Sequence, residues 1–283
     1  MRTLTIEKLS ENVGAEILDV DVDRLLHDED LPGACLDALE QYGVLLFREL
    51  HADDDAQVEF GRKLGPLRAF PHLPPAAEEV MEISFDPANG NAEYLAANVF
   101  WHIDGLTDEV ASKASMLSAR VLPGEGGETE FASTYAAYDA LSDDEKERLA
   151  GLHAVYTFEA IQRRSYPNPT QEQLDEWSSR TPREHPLVWE HDSGRRSLVI
   201  GAFASHIVGM DFDEGRALLE DLERRATTPD RVYRHTWSVG DLVVWDNHGL
   251  LHRACAFDRS QPRVMNRSTL AGMEPIKLET ATR

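Results

Sequence analysis

A succession of short extended patterns in the second half of the chain limits its fold more than any other feature. Leu187–Glu190, Ser197–Gly201, Val232–Trp237, Asp241–Asp246, Leu250–Phe257 and Arg263–Leu270 are apolar or alternating runs bounded by turn-forming residues, the pattern of strands joined by turns. One amphipathic helix interrupts them, expected over Asp213–Arg225 with Asp213 as its cap and Ala217, Leu218 and Leu222 facing inward. The first half mixes both kinds of element. Leu4, Ile6 and Leu9, then Ala15, Ile17 and Leu18, suggest an opening hairpin, and Leu31–Tyr42 reads as a helix leading into the buried strand Val44–Phe47. Strands are also expected over Val80–Phe85 and, alternating, over Ala114–Leu122. Pro123-Gly-Glu-Gly-Gly127 then turns the chain into Glu128-Thr129-Glu130-Phe131, Tyr135–Leu141 reads as a helix, and Ser142-Asp-Asp-Glu145 opens the next with a capping box. Together these elements predict a mainly β fold with flanking helices: a double-stranded β-helix, or jelly-roll and cupin-like, antiparallel barrel. A single domain over 1–283 is expected, with lid-like insertions at about 70–98 and 158–184, the second a polar, proline-containing excursion from the core.

Composition narrows what such a barrel binds. Lys and Arg number 28 against 51 Asp and Glu, a formal charge of −23, which argues against nucleic acid or an anionic membrane as partner because both require basic patches. The same field repels small acids at long range, so a carboxylate ligand would need inward-pointing arginines. A chain of 283 residues buries roughly 75% of the surface its unfolded form exposes, so a metal is not required for folding and would serve function. Cys35 and Cys255 form no CxxC pair, the start of the chain lacks the apolar core of a signal peptide, and no run of about 18 apolar residues occurs. A reduced, cytoplasmic setting is the expectation.

Trp101-His102-Ile103-Asp104 places an imidazole and a carboxylate two residues apart, on one face of an extended segment. With a second imidazole they form one face of an octahedron and leave the other open, as in non-haem Fe(II) sites. His51-Ala-Asp53 has the same spacing, but Asp53, Asp54 and Asp55 precede the helical pattern Val58, Phe60, Leu64 and read as a helix start. The third ligand has to come from downstream, where His185, His191, His206, His235, His248 and His252 are available. His252 begins the strand after Asn247-His248-Gly249, beside apolar Leu251, a place that points an imidazole inward from a barrel rim. A satisfied core histidine is its alternative role. His248, in the turn, is expected to be exposed. Arg263 and Arg267, four apart on a strand, share one face. They are either ordinary surface arginines or an inward pair that meets carboxylates with its planar forks.

These motifs resemble the TauD/TfdA dioxygenases. The resemblance rests on Trp101-His102-Ile103-Asp104, Gly126-Gly-Glu-Thr129-Glu-Phe131, Ala136-Ala-Tyr-Asp-Ala-Leu141, His185-Pro-Leu-Val188, Gly240-Asp-Leu-Val-Val-Trp-Asp-Asn247, His252 and Arg263/Arg267. It runs nearly end to end and is weakest over 70–98 and 158–184. Ser115-Met-Leu-Ser-Ala119 and Gly201-Ala-Phe-Ala-Ser-His206 are most similar to the aryloxyalkanoate, or dichlorophenoxyacetate-type, branch.

The resemblance implies Fe(II) on His102, Asp104 and His252, with 2-oxoglutarate as cosubstrate and O2 as oxidant. It further implies that Thr129 and Arg263 hold the distal carboxylate of 2-oxoglutarate, with Arg267 near its metal-binding carboxylate or the substrate's acid. The implied reaction hydroxylates a small anionic organic molecule and releases succinate and CO2. A sulfonate or alkyl-sulfate oxygenase, a biosynthetic tailoring oxygenase, and a non-catalytic barrel binding a metal or small acid are the alternatives. His72, Phe100, Leu106, Phe203 and His206, with Arg267, are the candidate substrate contacts, and family members lead us to expect a homo-oligomer, dimer or tetramer.

Overall fold

The computed structural model describes residues 4–69, 78–86 and 95–277. In chain order its strands are β1 (Thr5–Lys8), β2 (Ala15–Leu18), β3 (Val44–Phe47), β4 (Met81–Ser84), β5 (Ala114–Val121), β6 (Thr129–Ser133), β7 (His153–Tyr156), β8 (Arg183–Pro186), β9 (Val188–Glu190), β10 (Arg196–Leu198), β11 (Ala204–Ile207), β12 (Val232–His235), β13 (Leu242–Asp246), β14 (Leu250–Ala254) and β15 (Val264–Leu270). The helices are α1 (Val22–His27), α2 (Leu31–Tyr42), α3 (Asp54–Leu64), α4 (Thr134–Asp139), α5 (Asp143–Ala150), α6 (Phe158–Ser165), α7 (Gln171–Ser178) and α8 (Phe212–Ala226).

A large sheet, ordered β1-β2-β3-β13-β5-β15-β4, faces a small one, β12-β6-β14. Every neighbouring pair is antiparallel except β2 with β3. Period-two alternation explains how the large sheet serves two cores at once. On β3 and β13, Leu45, Phe47, Leu242 and Val244 pack outward with Leu39 of α2 and Phe60 and Leu64 of α3. Their neighbours Val44, Leu46, Val243 and Trp245 pack inward with Phe131 of β6 and Met265 of β15. The chain is thus a jelly-roll barrel with helices on its outer face, as expected. Among the described residues no helix is long and apolar enough to cross a membrane.

Local chemistry fixes the helix starts. Asp53 accepts the Ala56 amide at 2.8 Å, so the His51 segment is a helix entry as read from sequence. Ser142 and Glu145 form the expected capping box. The cap of α8 requires a correction: Asp211, rather than Asp213, accepts the amides of Asp213 and Glu214, so the helix begins earlier and runs to Ala226. The polar stretch 158–184 is also more ordered than its composition suggested. It contains α6 and α7, each capped by a threonine, and leads into β8, which pairs with β7 beside β11 in a third sheet. Phe158, Ile161 and Trp177 from this stretch pack with Ala97 and Ala202, against Phe100 and Phe203.

Candidate active site

His102, Asp104 and His252 come together between the two sheets. Reciprocal backbone bonds, His102 N–H to the His252 carbonyl at 3.1 Å and His252 N–H to the His102 carbonyl at 2.9 Å, extend the small sheet by one bridge. They hold the two imidazoles side by side with ring centroids 4.2 Å apart. The bridge demands close approach from behind: Gly201, at φ +113°, has no side chain where a Cβ would stand 2.9 Å from the Trp101 carbonyl. Asp104 closes the group, with its oxygens 3.8 Å from His102 Nε2 and 3.7 Å from His252 Nε2.

The hydrogen bonds around this group decide which atoms face inward. His102 Nδ1 donates to the Phe100 carbonyl at 2.8 Å, so its Nε2 carries the lone pair and presents it to the Asp104 carboxylate. Burial lowers the pKa of both imidazoles, that of His252 to about 3 with a further push from His102, so both are neutral donors. Burial alone would raise the Asp104 carboxyl, but Arg267, His252, His102 and the Ser115 hydrogen bond hold it below the usual carboxylate range. Two neutral imidazoles facing a carboxylate without direct hydrogen bonds form a set that fits a divalent cation.

A chain of side chains orients the carboxylate from behind. Trp245 Nε1 donates to Asn247 Oδ1 at 3.0 Å, Asn247 Nδ2 to Ser115 Oγ at 3.0 Å, and Ser115 Oγ to Asp104 Oδ2 at 3.0 Å. Such partners fix a ligand's direction and basicity. Arg267 Nη1 lies 3.6 Å from the same Asp104 oxygen.

Arg263 and Thr129 line the same cavity as His102 and His252, with Asn98, Leu117 and Trp245 also in the wall. Arg263 is only 6% exposed. Its Nη2 donates to the Gly127 carbonyl at 3.0 Å, its Nε has no partner, and among the described residues no carboxylate lies within ion-pair distance. Burial lowers its pKa to about 10, which leaves it charged at neutral pH. Thr129 Oγ1 accepts the Trp237 indole N–H at 3.0 Å, so its own proton is available to donate. A buried guanidinium beside a donating hydroxyl fits a carboxylate. A larger cavity, about 640 Å³, lies between α3 and β4, but carboxylates dominate its wall and it contains neither imidazole nor Arg263.

Residues 5–269 match the family model described as taurine catabolism dioxygenase TauD, TfdA family. The chain belongs to that family. It is 38% identical over 249 residues to the α-ketoglutarate-dependent 2,4-dichlorophenoxyacetate dioxygenase of Burkholderia sp. (strain RASC), covering 83% of each chain. It is 31% identical over 287 residues to the α-ketoglutarate-dependent sulfate ester dioxygenase of Pseudomonas putida, covering 98% of this chain and 92% of that one. The crystal structure of AAD-2 in complex with Mn(II) and N-oxalylglycine superimposes with a TM-score of 0.82 at 31% identity, over 97% of this chain and 100% of that one. The expected reaction class therefore stands: this is a 2-oxoglutarate-dependent dioxygenase, with Fe(II), 2-oxoglutarate and O2 as the requirements of its kind.

The six residues expected to bind metal and cosubstrate share this one site in the TauD/TfdA chain. The expected substrate contacts divide. Phe203 packs against His102 in a T-shaped arrangement, centroids 6.4 Å apart, and half-buried Phe100 adjoins it through the cluster over α6 and α7. Leu106 is 1% exposed and belongs to the core with Trp101, Ile103 and Leu187; its carbonyl accepts from His185 Nε2 at 2.8 Å. His206 lies on β11 with Nδ1 turned to Ser205 Oγ at 3.2 Å. His72 is outside the described residues. His248 requires a correction, because it is 3% exposed, packed against Trp189 with ring centroids 4.6 Å apart. Sequence reasoning missed Ser115, Asn247 and Asn98. The alternation of β5 marks Ser115 as inward-facing with Leu117, but nothing local links it to Asn247.

Proposed function

We propose that His102, Asp104 and His252 hold Fe(II), that Thr129 and Arg263 receive the distal carboxylate of 2-oxoglutarate, and that the substrate is a small anionic, aryloxyalkanoate-like molecule. The observation that carries the reading is the pairing, within one cavity, of an open His-Asp-His group with a buried guanidinium that has no carboxylate partner among the described residues. When bound, the iron supplies the redox chemistry that splits O2 between succinate, released with CO2, and a substrate C–H bond.

The chain's own residues orient and shield. The Phe100 carbonyl fixes the His102 tautomer, Ser115 and Asn247 fix Asp104, and Trp245 and Leu117 keep the wall apolar. Arg267, beside Asp104, offers a cation at the substrate side. Phe203 and Phe100 give the aromatic surface that an aryl ring requires. If the hydroxylated carbon bears an ether oxygen, the product is a hemiacetal that falls apart, cleaving the ether.

The relative that acts on sulfate esters keeps a second reading in view, because Arg267 suits a sulfate as well as a carboxylate. A panel separates them: anaerobically iron-loaded protein is mixed with 2-oxoglutarate, O2 and aryloxyacetates, alkyl sulfates or sulfonates, and succinate is measured. Stimulation chiefly by aryloxyacetates is expected, with no succinate from His102→Ala. Stimulation by sulfates alone overturns the substrate class, and undiminished turnover in His102→Ala overturns the site.

A further inference from the structure

A second group of potential ligands, His191, His248 and Glu274, lies outside the site described above. Its ligand atoms lie within 4.8 Å of one another, as do those of the first group. His191 Nδ1 is 3.6 Å from Glu274 Oε1 and His248 Nδ1 is 3.7 Å from Glu274 Oε2, nearly the spacing of the imidazole nitrogens from Asp104. Three distant pieces of chain supply these groups: His191 follows β9, His248 joins β13 to β14, and Glu274 lies in the tail after β15. The two histidines are 4% and 3% exposed, whereas the Glu274 side chain is 20% exposed and opens the group to solvent.

The hydrogen bonds show which way His191 is protonated. Ser197 Oγ donates its one proton to the His248 carbonyl at 3.1 Å, so its contact with His191 Nε2 at 2.8 Å is one in which the imidazole N–H donates. His191 Nδ1 is left with a lone pair directed at the Glu274 carboxylate. That carboxylate is held in place by the Asp192 amide, which donates to Oε1 at 2.8 Å. His248 Nε2 is buried with no partner among the described residues, and Trp189 packs against both imidazoles at 4.3 and 4.6 Å. The cations that act on the group are engaged elsewhere: Lys113 by Asp246 at 3.2 Å and Glu40 at 3.8 Å, Arg195 by Glu40 at 3.5 Å, and Lys277 by Asp192 at 3.0 Å. A lone pair turned to a carboxylate oxygen repels it unless a proton or a metal ion lies between them.

We propose that His191, His248 and Glu274 bind a divalent transition metal, zinc being the best match, which fastens the tail after β15 to the barrel. Two imidazoles, one carboxylate and a solvent molecule on the Glu274 side satisfy zinc's preference for four mixed nitrogen and oxygen donors. The ion's part is to hold the tail in place, independently of the reaction assigned to the first site, and its solvent-held fourth position sets it apart from zinc sites closed by four protein ligands.

The test is a titration of chelator-treated, full-length protein with Co(II), followed by its visible spectrum and by bound-metal analysis. Two equivalents are expected for the native chain, one giving the strong absorption of four-coordinate cobalt and one the weak absorption of a six-coordinate site. Glu274→Gln, which keeps the bond to the Asp192 amide, loses the strong band and one equivalent, yet still forms succinate at the native rate when iron-loaded. His102→Ala keeps the strong band and loses the other equivalent. In the native chain, zinc at about a hundred times its dissociation constant raises the melting temperature by about 5 °C. The proposal is overturned if native protein binds a single equivalent, with a shared proton then joining Glu274 to His191, or if Glu274→Gln leaves the strong band in place.

Discussion

Arg263→Met separates the two roles of a buried charge. In the protein without cosubstrate, Arg263 is 6% exposed and, among the described residues, bonded only to the Gly127 carbonyl at 3.0 Å, with its face against Phe257 at 5.5 Å. Burying an unpaired ion costs several kcal/mol, more than the about 1–3 kcal/mol lost when the Gly127 carbonyl loses its donor. The variant alone should therefore melt at or above the native temperature. With 2-oxoglutarate the sign reverses, because removing one partner of a buried, hydrogen-bonded charge pair costs about 2–5 kcal/mol, or about 30- to 4000-fold in affinity. The assay is thermal denaturation under nitrogen with bound metal and 2-oxoglutarate at about a hundred times the native dissociation constant. Native protein should gain about 2.7 kcal/mol, close to 5 °C for a chain of this size, and the variant at most about a third of that. A full ligand shift in the variant would refute the assignment of Arg263 to the cosubstrate. A steep loss of stability without ligand would refute the account of its burial.

Three further outcomes follow from the same geometry. Ser115→Ala removes the bond to Asp104 Oδ2 and should weaken metal binding by about 10- to 100-fold in an equilibrium titration; unchanged affinity would detach the Trp245-Asn247-Ser115 chain from the site. Gly126→Ala places a Cβ 2.5 Å from the Ala256 carbonyl at φ +78° and should cost about 2–4 kcal/mol in urea unfolding, whereas a loss below about 1 kcal/mol would show that the turn yields. Burial lowers the His185 pKa, so its contribution to stability is complete above the unfolded value of about 6.5 and is lost as pH falls below it, at up to about 1.4 kcal/mol per pH unit. His185→Gln, whose amide can still donate to the Leu106 carbonyl, should flatten the acid limb of the stability profile, and an identical slope would exclude His185.

Alternation made the barrel and most of the candidate site legible. Because neighbouring residues on a strand face opposite ways, the phase that buries Met265 also turns Arg267 inward, and Arg263, just before β15, lines the same cavity; Ser115, in phase with Leu117, was missed because nothing local ties it to Asp104. Asp53 and Ser142 were legible for a different reason, since a cap and its amide lie three residues apart. What escaped depends on contacts between distant parts of the chain. His248 sits in a turn, where exposure is the usual outcome, and is buried because Trp189 covers it. Asn247 reaches Ser115 across 132 positions, a distance that no local pattern spans. The helices α6 and α7 span eight residues each and bury only Phe158, Ile161, Gln162 and Trp177, too few apolar positions to show a helical period among polar neighbours, so 158–184 read as a polar excursion.

The charge of the cavity, set against that of the whole chain, limits which substrates the proposed site accepts. A formal charge of −23 discourages anions at a distance, but exposed charges are largely screened beyond about 10 Å at 0.1 M salt, while buried groups act through a lower dielectric at a few ångströms. Within the cavity, Asp104 and Arg267 cancel, the two imidazoles are neutral, and Arg263 leaves one positive charge. A divalent metal raises the total to three, and the 2-oxoglutarate dianion returns it to one. That balance favours a monoanion as the second guest: a dianion would be left with excess negative charge in a desolvated pocket, and a cation would meet repulsion from the start. An aryloxyacetate and an alkyl sulfate both satisfy it. Charge therefore admits both classes, and the choice between them rests on the rings of Phe203 and its neighbour Phe100, which can pack with an aryl ring and give an alkyl chain no directional contact.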